Sequence, residues 1–161
     1  MDIFDEDVIN FWRAMNENTV RYIMVGGFAA NLHGYQRTTE DIDILLDDTA
    51  GNRQNFRKAF SSYTGVDYFM IETMQFIPGW SPFTLNTGFT LDILLMPMKG
   101  LEAFTFDDCY KMASIAEILS LKIPFLHINQ LISNKKAVNR PKDQSDIIAL
   151  ERIKTLSGNE G

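Results

Sequence analysis

Residues 25–47 read VGGFAANLHGYQRTTEDIDILLD, and the fold is decided by how its last third is read. Asp41 and Asp43 stand two apart, and side chains two apart on a strand share a face. Ile42, Ile44, Leu45 and Leu46 around them are apolar and β-prone. The segment from Asp41 to Leu46 therefore reads as a strand that buries Ile42 and Ile44 and presents two acids on its other face. Adjacent carboxylates repel unless a cation lies between them. Ligands that are all oxygen suit Mg²⁺ or Mn²⁺, which keep waters and share substrate phosphates. The competing reading is an exposed edge strand with two solvated acids.

Working outward, residues 21–25 form a short apolar strand that Gly26-Gly27 breaks. Residues 28–33 read as a helix ended by Gly34. Paired glycines let the backbone approach a phosphate, and the helix behind them offers free N–H groups. A tight strand-to-helix turn without a ligand is the alternative. Downstream, residues 89–95 (FTLDILL) form another strand with Asp92 in its middle. A lone acid in an apolar strand is not buried unpaired. It either reaches water at a strand end, bonds to neighbouring backbone, or lies beside the Asp41 strand as a third carboxylate. Three acids hold two divalent ions, enough to clamp a nucleoside triphosphate for in-line displacement.

The remaining pattern is one domain over residues 1–156 with a frayed tail at 157–161. Residues 5–18 carry Val8, Ile9, Trp12 and Met15 at helical spacing. Residues 47–52 read as a polar turn and 53–60 as a helix. Residues 66–71 and 74–77 read as two further strands, and 78–82 (PGWSP) as a loop. Residues 110–118 fit helix or strand. Residues 122–127 read as a short strand that tolerates Pro124 at a sheet edge. Asn129 is expected to cap a helix reaching Val138, and Asp143 to start a last helix through Lys154. Ile147, Ile148, Leu150 and Ile153 would be its buried stripe.

At 161 residues and 45% hydrophobic, the chain is long enough to bury a core of its own. A net charge of −6 argues against a dedicated binder of long nucleic acid, but not against a tRNA end or a nucleotide arriving as its metal complex. Cys109 is the one cysteine, which excludes an intramolecular disulfide and a thiolate metal cluster. No run is apolar enough to span a bilayer and the acidic N-terminus is unlike a secretory signal, so the cytoplasm is expected.

Gly26-Gly27, Asp41-Ile-Asp43 and a later apolar strand with Asp92 together resemble the DNA polymerase β-type nucleotidyltransferase superfamily. Thirteen residues separate Gly27 from Asp41, which fits that pattern. GGFAANLHGYQRTTEDIDILL, with Arg37 and Thr39 ahead of the acids, is similar to minimal bacterial nucleotidyltransferase-like proteins related to the AbiEii toxin. LISNKKAVNRPKDQSDIIAL resembles the tail of the same group. The superfamily commonly has Gly-Ser where this chain has Gly26-Gly27, which removes a hydroxyl that touches phosphate.

The resemblance implies an α/β (α+β) fold: a nucleotidyltransferase-type mixed sheet with helices packed on one face, plus C-terminal helices. It implies that Asp41 and Asp43 ligate both metals. Asp92 would ligate the catalytic metal and help deprotonate the acceptor hydroxyl. Gly26 and Gly27 would cradle the β- and γ-phosphates of an NTP such as ATP. Lys135, Lys136, Arg140 and Lys142 form the densest basic cluster of an acidic chain. Lys135, Arg140 and Lys142 would steady departing pyrophosphate, or the cluster is a solvated helix end. Arg37 would meet a phosphate or pair with Glu40. Asp143 reads as an N-cap, with Asp146 one turn on to pair with Arg140 or Lys142.

His33 reads as structural, and Trp80 and Phe83 either stack on a base or pin their loop. The expected reaction moves a nucleoside monophosphate from an NTP to a hydroxyl on tRNA, protein or a small molecule. Its rivals are a non-catalytic binding module and a toxin-antitoxin component. A homodimer or a toxin-antitoxin partner is the expected association.

Overall fold

The computed structural model describes residues 5–158. Along the chain run α1 (Glu6–Glu17), β1 (Tyr22–Val25), α2 (Gly26–Leu32), β2 (Asp41–Leu46) and α3 (Ala50–Thr64). A 3₁₀ turn at Phe69–Glu72 follows, then β3 (Phe83–Thr84), β4 (Thr90–Leu94) and α4 (Phe106–Met112). The chain ends with β5 (Ser114–Ile118), β6 (Leu121–Phe125), α5 (Ile128–Val138) and α6 (Pro141–Leu156). The six strands form one sheet in the order β3-β4-β2-β1-β6-β5. It is mixed: β2 runs parallel to β4 and β1 parallel to β6, while the other pairs are antiparallel. The expected α/β class with a mixed sheet is what the chain adopts. No helix of the described residues is long and apolar enough to cross a membrane.

Strand alternation sorts the side chains. Register places Tyr22, Ile42, Ile44, Leu91 and Phe83 on one face. Trp12 of α1 stacks on Tyr22 with ring centroids 5.5 Å apart. From α3, Phe56 and Phe60 meet Phe83 edge-on. Each such side chain, removed from water, contributes about 1.5–3 kcal/mol. Val25, Asp43 and Asp92 share the opposite face. There α2 lies against β1 and β2, so Ile23, Val25 and Leu45 are buried as well.

Several local expectations are corrected. Residues 66–71 and 74–77 are not strands. Arg57 on α3 pairs with Asp67 at 2.6 Å and with Glu72, winding this segment into a 3₁₀ turn beside its helix. The place beside β4 goes to β3 instead. α3 begins before Arg53, because the Thr49 side chain accepts from Asn52 N and caps it. The ambiguous residues 110–118 divide at Ala113, the end of α4, whose N-terminus Thr105 and Asp108 close as a capping box.

Pro124 is not at a sheet edge, since β6 lies between β1 and β5. Leu126 N donates to Met24 O, so the nitrogen two residues earlier also faces β1. β1 and β6 pair in parallel at Met24 and Phe125. The cap of α5 is His127, whose Nδ1 accepts from Asn129 N, rather than Asn129. α6 starts at Pro141, not Asp143. Its buried stripe is narrower than expected: Leu150 is buried, Ile147 and Ile153 are half-buried, and Ile148 is exposed. Of the tail, Ser157 and Gly158 form a turn and residues 159–161 lie outside the described residues.

Candidate active site

β1 ends, and β2 and β4 begin, at the same end of the sheet. Val25 lies opposite Asp43, and Asp43 lies opposite Asp92 in parallel register. Asp41, opposite Thr90, is two residues before Asp43, so all three carboxylates share a face. The adjacency that the sequence left conditional is met.

Gly26 is required by that closeness. Its φ is +68°, and a Cβ there would stand 2.1 Å from Asp43 Oδ2. Gly26→Ala would push Asp43 aside and strain the turn, with an expected loss of about 1–3 kcal/mol. A melting curve checks this, and an unchanged midpoint refutes it. At Gly27 the missing side chain is explained by neighbours. Arg37 Nη2 and Thr39 Oγ1 each lie 2.9 Å from the position its Cβ would take. The space a serine would need is filled by these two groups.

Burial lifts the Asp43 carboxyl to about 6, helped by the charges of Asp92 and Asp41 and opposed by Lys142 and Arg140. Burial also raises Asp92, although the Gly79 N–H donates to its Oδ2 at 3.0 Å; Asp41 adds to the rise. Asp92 Oδ1 is buried without a hydrogen-bond partner.

A raised carboxyl pKa means that the folded chain holds the proton more tightly than the unfolded one. Asp43's stabilising effect is therefore complete below about pH 4 and is lost as pH rises through about 6. Its full ionisation costs on the order of 3 kcal/mol. Metal-free Asp43→Asn should have a higher urea midpoint than the wild-type chain at about pH 7.5, and the gap should close near pH 4. Equal gaps at the two pH values would contradict this sign.

Facing the acids is a buried ion network from three elements. Lys135 of α5 donates to Asp146 of α6 at 2.7 Å and lies 3.8 Å from Asp143. Side-chain exposures of 4%, 2% and 0% place all three out of water. Arg37, from the loop ahead of β2, has Nε 3.2 Å from Asp146 Oδ1, in ion-pair range but not aligned as a hydrogen bond. Arg140 donates to Asp143 from its backbone N and its guanidinium. Burial alone would raise Asp143, but these donors hold it below the usual carboxylate range.

The expected partners thus change. Arg37 pairs with Asp146 rather than Glu40, and Asp146 takes Lys135 and Arg37 rather than Arg140 or Lys142. Asp143 sits at the third helical position and closes a capping box with Arg140, instead of being the N-cap itself. Lys136 leaves the cluster to pair with Glu151 on the surface.

The acids and part of this network line one cleft of about 520 Å³. Gly26, Gly27, Arg37, Asp41, Asp43, Asp92, Lys135, Arg140 and Lys142 all border it. Lys142 makes no ion pair among the described residues, and its charge acts on Asp43. Sequence reasoning missed Gly79, whose N–H tethers Asp92, and gave Thr38 no role although it lines the cleft. A glycine in a Pro-Gly turn carries no local sign of such a contact.

Among the described residues, no three His, Cys, Asp or Glu side chains form a ready-made metal cage. The donor set nonetheless suits a hard divalent cation. It is all oxygen, it includes the unpartnered Asp92 Oδ1, and burial, with neighbouring carboxylate charge adding to it, raises Asp43 and Asp92. Mg²⁺ completes such a shell with water and substrate phosphate.

His33 is structural: Nε2 bonds Leu126 O at 2.7 Å, the ring packs on Phe125, and burial lowers its pKa. Cys109 is buried. Phe83 is core, whereas Trp80 remains 61% exposed.

The sheet order and the helices around it define a nucleotidyltransferase-type fold. A crystal structure of an antigenic nucleotidyltransferase-like protein from Paracoccidioides brasiliensis matches with a TM-score of 0.54 at 15% identity. The match covers 89% of this chain and 74% of that one. At that identity the likeness is one of fold. No protein-family model and no curated protein matches the chain.

Proposed function

We propose that this chain is a divalent-metal-dependent nucleotidyltransferase that moves a nucleoside monophosphate from an NTP to an acceptor hydroxyl. One observation carries the reading. Asp43 and Asp92 stand side by side on parallel strands, with Asp41 beside them and Gly26 shaped around Asp43. Asp41, Asp43 and Asp92 would hold the cation, which supplies charge neutralisation and Lewis acidity at the α-phosphate. Lys142 and Arg140 favour the ionised form of Asp43. Backbone N–H groups at Gly26 and Gly27, with the Arg37 guanidinium, would bind the β- and γ-phosphates.

The acceptor oxygen forms a bond to the α-phosphorus as the bridge to the β-phosphate breaks. Pyrophosphate leaves with that electron pair, and the acceptor proton passes to the Asp92 carboxylate. Lys142, exposed and unpaired among the described residues, would steady the pyrophosphate. Membership of the group related to the AbiEii toxin, and a toxin-antitoxin partner, belong to this proposal on the strength of the local strings alone.

The alternative is a non-catalytic nucleotidyltransferase-like binding module that works by partner contact. Incubation with each α-labelled NTP, Mg²⁺ and a cell extract separates them. Transfer of label to a macromolecule or small molecule supports the enzyme. No transfer, with no thermal stabilisation of the chain by NTP and Mg²⁺, supports the module.

A further inference from the structure

The carboxylate floor belongs to two cavities, one strongly polar and one with a more apolar wall. One is the polar cleft described above. The second, of about 300 Å³, opens from the same floor and shares Gly26, Asp43, Gly79, Asp92 and Arg140 with it. Beyond that seam the walls differ. The second cavity is bounded by Val25 at the end of β1, Pro78, Leu94 of β4, Met98, and Asn134 and Val138 of α5, so that Asn134 is the one polar side chain outside the seam. Arg140 is its one lining cation, and Asp143 holds that charge.

A nucleoside triphosphate has the same polarity along its length: a charged tail and an uncharged ring, joined at the α-phosphate. We propose that the apolar cavity receives the nucleobase and ribose while the triphosphate lies in the polar cleft. Val138 and Met98 are then nucleoside-binding residues. This rests on the nucleotidyl-transfer reading and adds the orientation of the substrate.

The opposite orientation would bury phosphate charge against Leu94 and Val138 and leave the ring among Arg37, Glu40 and Lys142. Desolvating phosphate without partners disfavours it.

The test uses protein labelled at methionine methyls, with the Met98 signal identified by its loss in Met98→Leu. It is titrated with Mg²⁺ and each of the four α,β-methylene nucleoside triphosphates, or with inorganic tripolyphosphate. At least one nucleotide should shift the Met98 methyl saturably, whereas tripolyphosphate should bind without moving it. Val138→Phe, which fills the cavity, should weaken that nucleotide about tenfold or more and tripolyphosphate by no more than about twofold.

A Met98 methyl that stays still at saturating nucleotide, or moves equally with tripolyphosphate, overturns the inference. So does a folded Val138→Phe that binds nucleotide like the wild-type chain. The methyl titration needs only the wild-type chain and decides the matter should Val138→Phe fail to fold. If neither ligand binds, the transferase reading itself falls.

Discussion

Asp43→Ala is expected to remove nucleotidyl transfer by about 10³-fold or more while leaving the fold intact. Asp43 is the middle carboxylate of three, opposite Asp92 and two residues from Asp41, so it is the one ligand both neighbours share. Its loss leaves two acids without a common cation. The fold should survive, because Asp43 at neutral pH is a liability: burial and like charge hold its carboxyl near 6. Metal-free Asp43→Ala should melt at or above the wild-type temperature, and its stabilisation by NTP with Mg²⁺ should vanish. Wild-type turnover in this variant would end the assignment.

Asp146→Ala should act in the reverse sense, through the fold first. Removing it leaves Lys135 buried with only Asp143 at 3.8 Å, and frees Arg37 from the loop ahead of β2. Breaking a buried pair from one side costs about 3–5 kcal/mol, because a charge is stranded out of water. For a domain of this size that lowers the melting temperature by about 10 °C. Lys136→Ala is the control. Its pair with Glu151 is about half exposed on each side, and its removal should change stability by no more than about 0.5 kcal/mol. Calorimetry on the two variants checks the contrast. Equal, small losses would show that the network is not holding α5, α6 and the loop together.

The parts of the site that follow strand chemistry were legible in the chain. Asp41 and Asp43 advertise themselves because an acid-apolar-acid triplet with Ile44 and Leu45 behind it makes sense only on a strand with one wet end. Asp92 does so because an acid between Leu91 and Ile93 needs a reason. Partner choice among the charges was not legible. Arg37 beside Glu40, and Asp146 within one turn of Lys142, looked like local pairs. Burial decides otherwise: Asp146 and Lys135 are both shut from water, so each must take the other. Residues 66–77 misled for a similar reason. Their apolar residues looked like strand, but the backbone carbonyls of Ile71 and Met74 bond to Arg53 of α3, and Arg57 pairs with Asp67 and Glu72, so the segment follows the helix instead of a sheet edge.

By itself the sequence determined the strand bearing the acid pair, the glycine break before it, the α/β class and the three acids worth pairing. These follow from periodicity and backbone stereochemistry, which act over a few residues. Only the tertiary structure decided that β4 lies beside β2 with Asp92 opposite Asp43, and that the Gly79 N–H tethers Asp92. It also drew Lys135 out of the basic cluster into an internal clamp and gave the carboxylate floor a polar and a more apolar side. Those outcomes depend on strand order and on which charges lose their water, and neither is written in any short stretch of chain.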